Sequence, residues 1–140
     1  MSKYILLVML FSTCLIAACD KSDNTKLNAE KSLELSKKCS DQSVIAFKQL
    51  GYKIGTLDGY ENHYNLKLNK CFILINSYES NYFSKSLIDA FELKSYAWFS
   101  QGIKKGGEYF HCELTVPGES NKICKTINEY DKFVFTYMNE

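Results

Sequence analysis

The chain has 140 residues, with 17 basic residues, all lysine, against 16 acidic ones and a formal charge of +1. A near-neutral chain with no arginine and no gathered lysine stripe lacks the footprint of a nucleic-acid binder. Its length suits one domain with a real core.

Residues 1–18 read as an export signal. Lys3 gives a short positive start, and Tyr4 to Ile16 is an apolar run broken only by Ser12 and Thr13. Ala17 and Ala18 are the small residues a signal peptidase needs before its cut. The apolar run, roughly 13 residues, is too short to span a bilayer, which takes about 20. The run Ile16-Ala17-Ala18-Cys19 resembles the lipobox of bacterial lipoproteins, with isoleucine where leucine is usual. The resemblance implies that the Cys19 thiol receives a diacylglyceryl group and that cleavage leaves Cys19 as an acylated N-terminus. Each buried CH₂ contributes ~0.8 kcal/mol, so two or three acyl chains hold a small domain on a membrane. Asp20 after such a cysteine implies, in enteric bacteria, inner-membrane retention facing the periplasm. The outer membrane is the alternative.

The signal holds Cys14. Cys39, Cys71, Cys112 and Cys124 remain beside Cys19. Four cysteines in an exported domain point to two disulfides. Their gaps of 32, 41 and 12 residues lack the paired spacing of a metal site. The favoured pairing is Cys39–Cys71 and Cys112–Cys124, with Cys39–Cys124 and Cys71–Cys112 as the interlocked alternative.

Residues 19–28 are polar and read as a tether without structure of its own. A single α+β domain is expected over 29–140. Ala29 to Leu50 reads as a helix, with Leu35, Cys39, Ala46, Phe47 and Leu50 on one side and Gly51 at its end. Tyr60, Tyr64, Leu66 and Leu68 alternate with Glu61, His63, Asn65 and Lys67, the pattern of a strand with one wet face. Asn69-Lys70 suits a turn, and Cys71 to Ile75 a central strand covered on both faces. Asn76 to Asn81 reads as a loop. Ser86–Phe91 and Tyr96–Phe99 read as a hairpin, with a helix over Ser84–Phe91 as the competing reading. Gln101 to Gly107 is glycine-rich loop, Tyr109 to Val116 a last strand, and Pro117-Gly118 its end. Thr126-Ile-Asn-Glu129 is a capping box, and Tyr130, Phe133, Val134, Tyr137 and Met138 follow at helical spacing. The whole reads as an N-terminal helix, an antiparallel meander of about four or five strands and a C-terminal amphipathic helix.

The segments Asn62-His63-Tyr64-Asn65, Lys67-Leu68 and Lys70-Cys71-Phe72 resemble a pattern in small exported bacterial proteins of unassigned function. Asp89-Ala90-Phe91, Tyr96-Ala97, Cys124 and Tyr137-Met138 fit it too. The resemblance covers roughly residues 39–140. It implies one compact domain and no mechanism.

Chemistry-bearing motifs are sparse. There is no strand–glycine loop–helix that would cradle a phosphate, and no cofactor is expected. There is no G-x-S-x-G elbow. His63, beside Glu61 on a polar strand face, reads first as a solvated or hydrogen-bonding residue. With Glu61 or Asp89 it could instead serve a small hydrolase. Asp89 reads as an acceptor of backbone N–H groups or a turn cap, and His111 as a sheet or loop residue. The ten tyrosines are the unusual feature. Tyr64, Tyr130 and Tyr137 are expected in the core, whereas Tyr52, Tyr78, Tyr82 and Trp98 could form an exposed aromatic patch. The reading that follows is a lipid-anchored, non-catalytic binding module with an envelope partner. One version is an inhibitor that inserts the 101–107 loop into an active site.

Overall fold

In a computed structural model of the chain, residues 20–102 and 110–139 are described, with side chains from Asn28 onward. The signal, Cys19 and residues 103–107 of the glycine-rich loop lie outside the described residues. The chain divides into two units, Met1–Glu34 and Leu35–Glu140. In the first, helix α1 (Asp20–Gln49) begins. Residues 20–28 are therefore helical, not the unstructured tether their polarity suggested. No glycine or proline interrupts the run from Asp20 to Gln49, so once a helix forms further on, each added residue costs little.

The second unit carries the rest of α1 and a six-stranded sheet in strict sequence order, closed by a second helix. The strands are β1 (Gly59–Asn65), β2 (Lys70–Glu79), β3 (Tyr82–Asp89), β4 (Ser95–Gly102), β5 (Phe110–Leu114) and β6 (Lys122–Ile123). Every neighbouring pair is antiparallel. Helix α2 spans Ile127–Met138. The fold is α+β, with one strand more than the meander foreseen.

Several boundaries differ from the sequence reading. β2 runs through Asn76–Glu79, which had read as loop. Ser77 and Tyr78 find partners in Ser84 and Phe83, so pairing overrides the polar composition. Chain reversal uses Leu66–Asn69, with Asn69 at φ 52°. Leu66 and Leu68 are thus exposed turn residues and not part of a buried strand face. β3 and β4 form the expected hairpin, and Ser84–Asp89 is strand, not helix.

β2 is covered on both faces. Cys71, Ile73 and Ile75 pack with Cys39, Ala46 and Phe47 of α1. Phe72 and Leu74 pack with Tyr130, Val134 and Tyr137 of α2. The Phe72 ring meets Tyr137 edge-on at 5.1 Å, and Tyr96 meets it at 5.4 Å. Burying each such ring contributes about 2–3 kcal/mol. Two disulfides staple the layers. Cys39–Cys71 joins α1 to β2 with Cα atoms 5.3 Å apart, and Cys112–Cys124 joins β5 to the segment before α2 at 5.1 Å. Both are the favoured pairing.

The helix cap forms largely as the motif requires. The Thr126 hydroxyl accepts from the Glu129 N–H at 3.2 Å. The Glu129 carboxylate reaches one residue further back than in a standard box, accepting from the Lys125 N–H at 2.7 Å. At the other end Asn65, read from the alternation as solvent-facing, is fully buried. Its amide donates to the Tyr137 carbonyl at 3.1 Å and its oxygen accepts from the Leu68 N–H at 2.9 Å. A side chain that satisfies a helix-end carbonyl and a turn amide together is held in the core by those bonds.

Candidate functional site

The face of the sheet that meets α1 changes character towards β5. Register sets Ile75, Ser86, Trp98 and Glu113 in one row across β2–β5. The next row is Ser77, Ser84, Ser100 and His111. Glu79 pairs with Tyr82 beyond it. Period-2 alternation aims these side chains to the same side. Near α1 that side is isoleucine and cysteine; here it is serine and aromatic.

The result is a groove of about 480 Å³ lined by Tyr52, Glu79, Tyr82, Ser84, Trp98 and Ser100. Tyr52 comes from just after α1, and its ring stacks on Phe47 at 5.3 Å. That contact fixes one wall to the core. The Trp98 ring lies against the His111 imidazole, centroids 4.8 Å apart. Tyr82 stands at the rim, 44% exposed. The floor is more buried than its chemistry favours. Ser77, Ser86 and Ser100 are each under a tenth exposed. Ser77 donates to the Asp58 carboxylate at 2.7 Å, and Ser86 acts on the Tyr52 phenol, opposing the rise in its pKa. The Ser100 side chain, 5% exposed, borders the groove.

Among the described residues the lining carries one charged side chain, the Glu79 carboxylate. Burial pushes the Tyr52 phenol above its ordinary value, and the carboxylates of Asp58 and Glu79 push it further. Both carboxylates are therefore felt at the Tyr52 wall.

Three of the four aromatic residues singled out in the sequence, Tyr52, Tyr82 and Trp98, thus come together. Tyr78 does not; it lies on the opposite face against Phe83, ring centroids 4.8 Å apart. Sequence reasoning missed Glu79, Ser84 and Ser100. The alternation of Ser84 and Ser86 with Lys85 and Leu87 carried a signal, but Asn76–Asn81 had hidden the hairpin that gives it a partner.

The other candidates are placed apart. His63 pairs with Phe72, and Phe72 with Asp89. His63 and Asp89 are thus two strands, about 9.6 Å, from one another, with the buried Phe72 in the row between them. Asp89 is occupied elsewhere. It accepts from Lys70 Nζ at 2.6 Å and from the Phe91 and Glu92 N–H groups at 3.0 Å each. This is the turn-capping role expected first. Glu61 shares the strand face of His63. His111 Nε2 lies 3.8 Å from Glu113 Oε2. A second hollow of about 420 Å³, between Lys67, Tyr96, Pro117 and Tyr137, includes Lys70, whose ammonium is held by Asp89 and Glu92. Among the described residues no three His, Cys, Asp or Glu side chains gather as a metal site, and no helix is long and apolar enough to cross a membrane.

Comparison with protein-family models, with curated proteins and with solved structures gives no match.

Proposed function

We propose that the protein is a non-catalytic binding module of the cell envelope, held by a lipid on Cys19 and engaging a partner through the Tyr52–Tyr82–Trp98 groove. The observation that carries the reading is the serine-floored aromatic groove itself. Hydroxyls beside half-open rings suit an interface, where tyrosine and tryptophan anchors dominate binding energy. The anchor rests on the lipobox-like run ending at Cys19. An inhibitor-like protein is one concrete version.

Two measurements test it. The full chain, expressed with its signal, is used to capture partners from an envelope extract beside a Tyr82→Ala variant. A partner retained by the native chain and lost by the variant is the expected result. Equal capture by both, or none by either, would remove the groove from the function. Mass spectrometry of the processed N-terminus should find an acylated Cys19; cleavage elsewhere, or a free thiol there, would refute the anchor.

A further inference from the structure

We infer that the groove receives a cationic side chain, the ammonium of a lysine or the guanidinium of an arginine, presented by a partner protein. This rests on the reading of the protein as a binding module and names the chemistry of what it binds.

The walls are electron-rich. Tyr52, Tyr82 and Trp98 offer three aromatic rings around one space, and cations are attracted to such faces within about 6 Å. The rim carries Glu79, which has no hydrogen bond or ion pair among the described residues. Asp58 lies one step behind, bound to Ser77 in the row of the floor. The floor supplies Ser100, 5% exposed, whose hydroxyl can accept from an N–H. Aromatic faces, a carboxylate and a hydroxyl acceptor are the three things a desolvating ammonium or guanidinium needs. An anion would face the Glu79 carboxylate. A purely apolar guest would leave Ser100 and Glu79 uncompensated. A neutral saccharide could stack on the rings but would make no use of the charge, so it is the competing occupant that the experiment must separate. The Glu79 carboxylate on the lining is exposed. That exposure suits a side chain arriving on a protein surface rather than a small molecule enclosed on all sides.

Trp98 is the only tryptophan, so its fluorescence reports on the groove alone. The full mature chain is titrated with Nα-acetyl-lysine methylamide, its arginine counterpart, the neutral norleucine counterpart and chitotriose. The expected result is a saturable change with the two cations and none with norleucine. The Glu79→Gln variant should weaken cation binding about fivefold, the effect of one charge at ~4 Å in water. Glu79 is exposed, so circular dichroism of the variant should match the native chain. Binding of chitotriose that persists in Glu79→Gln, or cation binding that the variant leaves unchanged, would overturn the inference. So would the absence of any saturable change. A partner captured through Tyr82 that the lysine analogue fails to displace would overturn the cation inference and leave the binding reading standing. Capture that the lysine analogue abolishes supports both.

Discussion

The ammonium of Lys70 lies 2.6 Å from Oδ2 of Asp89, and the carboxylate is almost fully buried while the lysine keeps about a third of its exposure. Lys70 also reaches Glu92 at 2.8 Å. The hydrogen bond it donates to Asp89, then that to Glu92, holds the lysine above its ordinary value. The pair ties the start of β2 to the end of β3, and the other oxygen of Asp89 builds the turn that follows.

Removing the lysine is expected to cost more than a surface ion pair would. Lys70→Ala leaves a buried carboxylate with only two backbone amides. The expected loss is about 2 kcal/mol, between the value of an exposed pair and that of a fully buried one. Asp89→Asn should cost less than Lys70→Ala, because it leaves no unpaired buried charge. Urea unfolding of both variants measures this. Equal losses would show that the charge itself is unimportant and that only the turn matters.

The two disulfides should contribute separately. Closing the 32-residue separation of Cys39–Cys71 is worth about 4 kcal/mol in the chain-entropy model, and the 12-residue separation of Cys112–Cys124 about 3 kcal/mol. Replacing Cys39 and Cys71 together by serine should therefore lower the melting temperature more than replacing Cys112 and Cys124. Both cysteines of the first pair are buried beside Ile73 and Ser43, so polar hydroxyls there add to the loss. The reverse order would mean that the C-terminal staple carries most of the stability.

Tyr130 holds a hydroxyl that has no hydrogen-bond partner among the described residues, and its side chain is fully buried. Burial pushes its ionisation far above the ordinary range, with Asp131 adding to the shift. Its ring still packs on Phe99 and lies under the Lys85 ammonium at 5.5 Å. Tyr130→Phe keeps those contacts and removes the stranded hydroxyl. The variant should be as stable as the native chain or gain about 1 kcal/mol. A loss of that size in thermal unfolding would contradict the orphaned hydroxyl.

Asp58 sets an acid-side dependence. The Ser77 hydroxyl holds its carboxyl below the usual value against the opposing effect of burial, and Thr56 and the Tyr78 amide add to the lowering. A depressed carboxylate stabilises above its unfolded value, about 3.9, and loses that contribution as the pH falls through the folded value. The group is largely solvated, so the contribution is under about 1 kcal/mol. Asp58→Asn should melt slightly below the native chain at pH 7 and level with it at pH 2. An equal gap at both values would assign the effect to shape and not to charge.

Composition and spacing were enough for the α+β class, the two disulfides, the second hairpin and the capped C-terminal helix. Each rests on chemistry local to a few residues: a hydroxyl three residues before a glutamate, an apolar run between turns, or four cysteines without the spacing of a metal site. Tertiary pairing decided what local chemistry left open. β2 continued through polar Asn76–Glu79 because Tyr82–Lys85 lay opposite to complete its ladder. Asn65 went inside because a helix-end carbonyl waited there. Above all, the groove exists only because register sets Trp98 beside Ser86 and Ser84 beside Ser100. Its last wall, Tyr52, arrives from a segment 27 residues before Glu79 in the sequence. Alternation told which residues share a face of one strand. Which faces become one surface depends on partners that only folding supplies.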